Sequence, residues 1–488
     1  MTDEGPGRGV VRRSVLSLFT ANAVSYATLA LSYLVYSRLL APAQFGLYST
    51  ALVIGAFGQL ILDGGLKNTI IKAPEPPDRE QQGTVVFLMA ASSVVLVVAL
   101  ALGGQPIGHF YPDARQDYQF LAIFGAVYLL SYPWLAMPTA FLERGFAYRR
   151  VAVVESGGQV LERALPALFL ILTPLGMTSF LVGAVLGRGF RVVAFNIAYR
   201  APVHVPSWGQ IRDAAHLVGE GAWLQLGTFV SQVRDSLHVL IVGPLFGQVW
   251  VGYYGWCMQL AVVTSQAFVQ ISARVSVPMF AQSTGFEPRW RHCLLQVRLL
   301  TILTAPVMTS ALLVVPSVNA HLFHSKWQPA LGILPLVLLR MLPSMATTPV
   351  GVLVMVDRGG RTLAVALTVW TTVELMSALV LSLALGPTGL AWSLALAVWP
   401  GLFILLRALG IRPVHLLAET MAVILGRPSL VTAVALAGFL IGVLAARGVL
   451  AALPAVLVVI PAAAIVATAY LSERDIRHYL SRAPRLTS

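Results

Sequence analysis

The chain carries a long succession of apolar stretches, and this feature constrains its fold most. Fourteen stretches are each close to the length of about 20 residues that an α-helix needs to cross a bilayer. Only 11% of the residues are charged, whereas a soluble domain has about 25%. The sequence therefore predicts an all-α polytopic membrane protein with about 14 transmembrane helices. Their approximate ranges are 14–37, 44–66, 84–104, 118–141, 151–172, 177–198, 219–243, 251–277, 293–317, 328–355, 362–385, 388–407, 429–446 and 449–471.

The basic residues are distributed unequally between the two sides of the predicted membrane. With the N-terminus placed in the cytoplasm, 22 of the 33 Lys and Arg residues fall in cytoplasmic segments and 4 in external ones. Cytoplasmic loops are enriched in Lys and Arg, and the bias alternates from loop to loop. It predicts that both termini are cytoplasmic. The same enrichment explains the net charge of +13 without a nucleic-acid partner.

A short internal repeat indicates that the chain is duplicated. Residues 39–48 and 245–254 align with an offset of 206, so that Gly46 coincides with Gly252. Both segments follow the first helix of a six-helix set, and paired halves are a known transporter plan. We predict two six-helix lobes and an appended helix pair. The predicted parts are an N-terminal lobe with helices 1–6 (1–198), an interfacial linker and C-terminal lobe with helices 7–12 (199–410), a second linker with helices 13–14 (411–471) and a cytoplasmic tail (472–488).

The connection between the predicted lobes contains a helix-start signal. Ser207 and Gln210 have the spacing of a capping box. Trp208, Ile211 and Ala215 then recur at helical spacing, which is typical of an amphipathic helix in the plane of the interface. We therefore predict an interfacial helix within residues 199–218.

Ionisable side chains occur inside the predicted spans, where each costs about 2.5–3.5 kcal/mol on insertion scales. Such groups need either a partner charge or a hydrated cavity, and polar residues at helical spacing accompany them. Interhelical pairing explains any one of them, but their spread over both halves favours a polar cavity. The candidate substrate-binding residues are Arg163, Arg188, Arg234, Arg340, Arg274, Gln266, Gln270, Asn22 and Tyr33. The candidate coupling or charge-pairing residues are Glu155, Glu162, Asp235 and Glu374.

The sequence contains no motif that would indicate catalysis. It has no Gly-rich phosphate loop ending in Gly-Lys-Ser/Thr and no pair of histidines at i, i+4. We therefore predict a transporter and not an enzyme, without a cofactor or a metal. Coupling to a proton or sodium gradient through the buried carboxylates stays open.

Several segments resemble the Wzx-type polysaccharide and O-antigen flippases, and in particular the subgroup of colanic-acid and teichuronic-acid exporters. This family belongs to the multidrug/oligosaccharidyl-lipid/polysaccharide exporter superfamily. The segments keep the same order and topological placement as in the family. They are residues 38–48, 141–146 with Glu155 downstream, 233–236 leading to 251–254, 322–323 with 326–330, and 358–361.

The resemblance implies a function in assembling a cell-surface polysaccharide such as an exopolysaccharide, O-antigen or capsule. It implies that a polyprenyl-pyrophosphate-linked oligosaccharide is moved by alternating access from the inner to the outer leaflet of the bacterial cytoplasmic membrane. The implied partners are this glycan and the bilayer, while a polysaccharide polymerase and export machinery stay open. Two alternatives remain, namely a cation-coupled multidrug antiporter and a membrane-embedded polysaccharide polymerase or ligase.

Overall fold

A computed structural model describes residues 8–65, 67, 70, 77–103, 117–145, 147–283 and 285–410. These residues form long α-helices and contain no β-strand. The helices are α1 (Arg8–Leu39), α2 (Pro42–Asp63), α3 (Arg79–Leu102), α4 (Tyr118–Arg144), α5 (Tyr148–Leu172), α6 (Thr178–Ala198), α7 (Trp208–Asp235), α8 (Gln248–Gln282), α9 (Phe286–His321), α10 (Gln328–Arg358), α11 (Gly360–Leu385) and α12 (Gly389–Ala408).

Eleven of the first twelve predicted spans are confirmed as helices, and the seventh, 219–243, is one α-helix only as far as Asp235. The predicted spans 429–446 and 449–471, the second linker and the tail lie outside the described residues. Side-chain caps fix where two of the helices begin. The Gln44 side chain accepts a hydrogen bond from the Ala41 N–H (2.9 Å) before α2, and Asp78 accepts one from the Gln81 N–H (2.7 Å) before α3. Such caps satisfy N–H groups that have no partner within the helix.

Helix α7 differs from the prediction at both ends. The helix start at Ser207 is confirmed, because the Ser207 N–H donates to the Gln210 side chain (2.8 Å). The separate interfacial helix is wrong, since one α-helix runs without a break from Trp208 to Asp235. A π-helical turn (His238–Val242) and a short α-helix (Gly243–Phe246) then follow, where one continuous helix was expected. Such π-helical turns are often found at functional sites.

The described helices fall into two compact units. The first unit comprises Met1–Gln232 and Gly243–Gly252, and the second comprises Val233–Val242 and Tyr253–Ser488. Within the first unit α5 packs on α6, α4 on α6 and α3 on α4. Within the second unit the corresponding pairs are α11 on α12, α10 on α12 and α9 on α10. The predicted lobe boundaries stay a prediction.

The turn that follows the fourth helix of each set has the same chemistry. Glu143 and Arg144 end α4, and Asp357 and Arg358 end α10. Each acid pairs with a base close to the connection two helices earlier, and one of these bases, Arg289, lies in the first turn of α9. Lys67 Nζ lies 3.1 Å from Glu143 Oε1, and Arg289 Nη1 lies 3.1 Å from Asp357 Oδ1. The first pair connects the region after α2 to the end of α4, and the second connects the start of α9 to the end of α10.

The two aligned glycines of the sequence repeat lie against each other within the first unit. Gly46 is on α2 and Gly252 is near the start of α8. A Cβ atom added to Gly252 would collide with the Pro42 carbonyl oxygen and lie 3.1 Å from the Gly46 nitrogen. Only hydrogen atoms fit between the two backbones, so this helix crossing requires glycine.

The protein is a multi-pass membrane protein. Within the described residues, six helical segments are long and apolar enough to cross a bilayer, counting the joined α11 and α12 as one. Helix α3 is strongly apolar, yet only 22% of its most apolar 18-residue segment is buried inside the protein. An apolar helix that the protein itself covers so little is matched to lipid and not to water.

Candidate functional site

Two carboxylates of α5 meet two arginines of α6 inside the first unit. Glu155 and Glu162 are seven residues apart and therefore share a helix face, as do Arg188 and Arg191 at a spacing of three. Arg191 reaches both acids. Its Nη2 contacts Glu162 Oε1, and its Nη1 lies 3.2 Å from Glu155 Oε2. Arg188 Nε lies 3.5 Å from Glu162 Oε1. We call these four residues the first cluster.

Two glycines provide the space in which the first cluster lies. A Cβ on Gly158 would overlap the aliphatic stem of Arg191, and one on Gly187 would overlap Cγ of Glu162. Neither glycine has a positive φ, so it is space and not backbone conformation that requires them. Helices α5 and α6 can therefore approach each other closely with the ion pairs between them.

Arg188 also stacks on an aromatic ring. Its guanidinium carbon lies 3.5 Å from the centroid of the Tyr128 ring, within the range of a cation–π contact. On another side that ring packs against Gly55, where an added Cβ would lie 2.8 Å from Tyr128 Cδ1. Tyr128 and Gly55 thus set the position of the arginine.

Arg163 is the next residue along α5 after Glu162, but it points elsewhere. Its Nη1 donates a hydrogen bond to the Ser25 carbonyl oxygen of α1 (2.9 Å). The Tyr36 hydroxyl donates to the Arg163 carbonyl oxygen (2.5 Å). Adjacent helix residues point about 100° apart, which separates this arginine from the first cluster.

The second unit contains a cluster that bridges α7, α10 and α11. Arg340 Nη2 lies 3.0 Å from Asp235 Oδ1 and 3.5 Å from Glu374 Oε1. Glu374 is fully buried, and neither of its carboxylate oxygens accepts a hydrogen bond from the described residues. The charge of Arg340 is therefore what compensates the buried Glu374 most directly.

Arg234 completes this second cluster, which comprises Arg234, Asp235, Arg340 and Glu374. Its guanidinium carbon lies 4.0 Å from the centroid of the Trp370 ring, and its Nε lies 3.6 Å from Asp235 Oδ1. Two of its nitrogens, Nε and Nη1, are buried without a hydrogen-bond acceptor among the described residues. The Trp370 ring packs on Gly401, where a Cβ would not fit.

The two clusters share one construction. In each, one arginine bridges a more buried carboxylate and a more exposed carboxylate, and a second arginine stacks on an aromatic ring that packs against a glycine. Each cluster holds two arginines and two carboxylates and is formally neutral. The planar guanidinium group of an arginine binds carboxylate and phosphate oxygens in the same way. A phosphate group can therefore take the place of a carboxylate in such a cluster.

The remaining predicted binding residues are placed differently. Tyr33 is buried, with its ring edge-on to Phe45 at a centroid distance of 6.0 Å, so it belongs to the packing of the first unit. Four predicted residues lie on helices α1 and α8 at positions whose side chains are outside the description. They are Asn22, Gln266, Gln270 and Arg274.

Sequence reasoning missed one arginine of the first cluster and the aromatic and glycine residues that pack around both clusters. Arg191, Tyr128, Trp370 and the supporting glycines were not predicted as site residues. Arg191 could have been predicted from the sequence, because its spacing of three from Arg188 places both arginines on one helix face. The aromatic rings and glycines belong to apolar helices in which nothing local distinguishes them.

Comparison with known proteins identifies the family. The family model described as polysaccharide biosynthesis protein matches residues 35–331, more than half of the chain. The lipopolysaccharide biosynthesis protein WzxC of Escherichia coli K12 is 23% identical over 333 residues, which cover 66% of this chain and 65% of WzxC. The chain thus matches just under two thirds of the length of that relative. An uncharacterized membrane protein in the cps region of Klebsiella pneumoniae is 21% identical over 328 residues, 67% of each chain.

Two solved structures show the same fold. The lipid II flippase MurJ in an inward closed conformation superposes with a TM-score of 0.71 at 12% identity, covering 93% of this chain and 98% of that chain. An inward-facing multidrug resistance MATE family transporter of the MOP superfamily superposes with a TM-score of 0.58 at 12% identity, covering 79% and 94%. These likenesses confirm the transporter fold. Together with the match over residues 35–331, they show that the chain belongs to the polysaccharide biosynthesis protein family, as the resemblance to Wzx-type proteins indicates.

Proposed function

We propose that the protein is a flippase for a polyprenyl-pyrophosphate-linked oligosaccharide. It moves this lipid-linked glycan from the inner to the outer leaflet by alternating access and so serves the assembly of a cell-surface polysaccharide. The observation that carries the proposal is the arginine–carboxylate cluster found within each unit of a member of this family. The names of WzxC, a lipopolysaccharide biosynthesis protein, and MurJ, a lipid II flippase, are consistent with it.

The physical demands of this reaction match the composition of the clusters. A polyprenyl tail is as apolar as the bilayer and does not need to leave it, so only the pyrophosphate and the sugars meet a barrier. Arginine keeps its charge in a low dielectric and can grip phosphate oxygens bidentately, which lysine cannot do. Of the 33 basic residues, 30 are arginine. A transporter built in this way needs neither a cofactor nor a metal.

The proposed location is the bacterial cytoplasmic membrane, with both termini in the cytoplasm. We expect reporter domains fused after Arg150 or Arg291 to be cytoplasmic and those fused after Pro174 or Lys326 to be external. The reason is the alternating bias of 22 to 4 basic residues. Enzymatic reporters that are active on only one side of the membrane measure this directly. The inverted pattern, or one that does not alternate, would contradict the proposed orientation.

A gradient of protons or sodium ions is the proposed energy source. The candidate coupling groups are Glu162, Asp235 and Glu374, because each is a carboxylate within a membrane helix and is held by arginine. Transport into vesicles with and without each gradient measures the coupling. Equal rates under all gradients would remove these three residues from that role. A polysaccharide polymerase and export machinery are the partners that would take up the product.

We expect Arg234 of the second unit and Arg163 of the first unit each to contact a phosphate group of the substrate. Arg234 has buried nitrogens for which the described part of the chain supplies no hydrogen-bond acceptor, and Arg163 lies outside the neutral first cluster. Replacing either by alanine should lower export about 10- to 100-fold, the effect of losing charged hydrogen bonds of about 1.5–3 kcal/mol. Lysine at either position should restore export only in part. Export is measured as surface polysaccharide in cells that lack the native protein.

The control for this experiment is the exposed Arg291, which pairs with Glu287 at the beginning of α9. Arg291→Ala should export normally. Membrane abundance of each variant is measured in parallel, since a structural role would lower abundance together with export. Normal export by both Arg163→Ala and Arg234→Ala would contradict the assignment of the headgroup site.

A further inference from the structure

In each cluster the two carboxylates on the bridging arginine differ in exposure. Within the first cluster, the Glu162 side chain is 14% exposed and that of Glu155 is 33% exposed. Within the second, Glu374 is 0% exposed and Asp235 is 56% exposed. The same asymmetry therefore occurs twice, on residues that the sequence repeat does not align.

The difference in exposure determines which carboxylate can leave the arginine. Removing the partner of a fully buried charge leaves that charge without compensation, which is strongly unfavourable. A carboxylate whose side chain is one third to one half exposed can leave its arginine at a smaller cost, because exposed ion pairs contribute only about 0–1 kcal/mol. Glu374 therefore stays on Arg340, whereas Asp235 is free to exchange.

We propose that Asp235 and Glu155 are built-in anions that occupy Arg340 and Arg191 when the clusters are empty and yield these arginines to a phosphate group of the substrate. This inference rests on the proposed function and names the residues that regulate its binding site. Each cluster is formally neutral, so an added phosphate creates an excess of negative charge unless a carboxylate moves away. The exchange keeps each arginine paired both before and after substrate binding.

The exchange also explains how the substrate is released. An arginine pair without a competing carboxylate would hold a pyrophosphate tightly in either leaflet. A carboxylate tethered beside the site competes with the substrate at a high effective concentration and restores the empty state. Neutralising it should therefore tighten anion binding while slowing export.

The test is a titration of the purified full-length protein with inorganic pyrophosphate, followed by calorimetry. We expect Asp235→Asn to lower the Kd by up to about fivefold, which is the factor that corresponds to the contribution of about 0–1 kcal/mol of an exposed ion pair. Glu155→Gln should act in the same direction through the other unit, so the result does not depend on one variant folding. Glu287→Gln is the matched control, since it removes the same charge from an exposed pair on α9 and should leave the Kd unchanged.

Adding Arg340→Leu together with Glu374→Leu, which removes the buried ion pair without leaving an unpaired charge, separates competition from a general change of charge. In that background Asp235→Asn should no longer tighten binding, because the arginine for which the two anions compete is absent. Wild-type binding with an unchanged or raised Kd in both Asp235→Asn and Glu155→Gln would overturn this inference and leave the proposed function intact. Absence of pyrophosphate binding to the wild-type protein would contradict the inference and the proposed headgroup site together.

Discussion

Arg340→Ala is expected to remove most of the protein from the membrane. The substitution leaves the carboxylate of Glu374 fully buried and without its arginine partner at 3.5 Å. Breaking a buried ion pair on one side costs about 3–5 kcal/mol. That is a large part of the total stability of about 5–15 kcal/mol that is typical of a folded protein. Membrane abundance and thermal unfolding in detergent measure the loss.

A double substitution distinguishes this structural role from a role in transport. Arg340→Leu combined with Glu374→Leu removes both charges and refills their space with apolar atoms, which is often neutral or stabilising. We expect the double variant to recover wild-type abundance and still to fail in export. An Arg340→Ala protein of normal abundance and stability would contradict the pairing of Arg340 with Glu374.

Gly252→Ala is expected to have the largest effect among single-methyl additions. The added carbon would meet the Pro42 carbonyl oxygen and the Gly46 nitrogen, which are backbone atoms and cannot rotate away. Overpacking costs about 1–3 kcal/mol and occasionally more, and contact with backbone belongs at the upper end. We therefore expect little folded protein, measured as the monodisperse fraction after extraction into detergent.

Gly332→Ala on α10 is the matched control for that methyl group. Apart from the backbone of its own helical turn, no heavy atom of the described residues lies within 4 Å of the position of its added Cβ. Alanine in an open helical position is favoured over glycine by up to about 1 kcal/mol, so this variant should be at least as abundant as wild type. Equal abundance of Gly252→Ala and Gly332→Ala would show that the α2–α8 crossing does not require glycine.

The helices could be predicted from the sequence because the bilayer imposes a simple rule. A span needs about 20 apolar residues, and eleven of the first twelve predicted spans are helices in the structure. The first exception is α7, where a separate interfacial helix was expected before the apolar span, but one helix runs from Trp208 to Asp235. The π-helical turn at His238–Val242 could not be predicted either, because four of its five residues are apolar and suit an unbroken helix equally well.

The candidate site could be predicted only in part. Helix geometry indicates that an acid next to an arginine in sequence points away from it. Glu162 indeed pairs with Arg188 and Arg191 of α6 and not with Arg163. Asp235 follows the rule only in part, because it contacts both Arg340 and the adjacent Arg234. Which helices meet, and which aromatic ring lies beneath each arginine, depends on contacts between residues far apart in sequence. Periodicity within one helix carries no information on such contacts.

The proposed activity is the movement of a lipid-linked pyrophosphate glycan between the two leaflets. Purified protein in lipid vesicles, supplied with a polyprenyl-pyrophosphate oligosaccharide that bears a fluorescent sugar, tests it directly. A membrane-impermeant quencher reports which leaflet holds the sugar. We predict that wild-type protein makes the protected sugars accessible, and that Arg234→Ala protein of equal abundance does not. Sugars that stay protected in vesicles whose protein instead transports an organic cation would contradict the account and favour a drug antiporter.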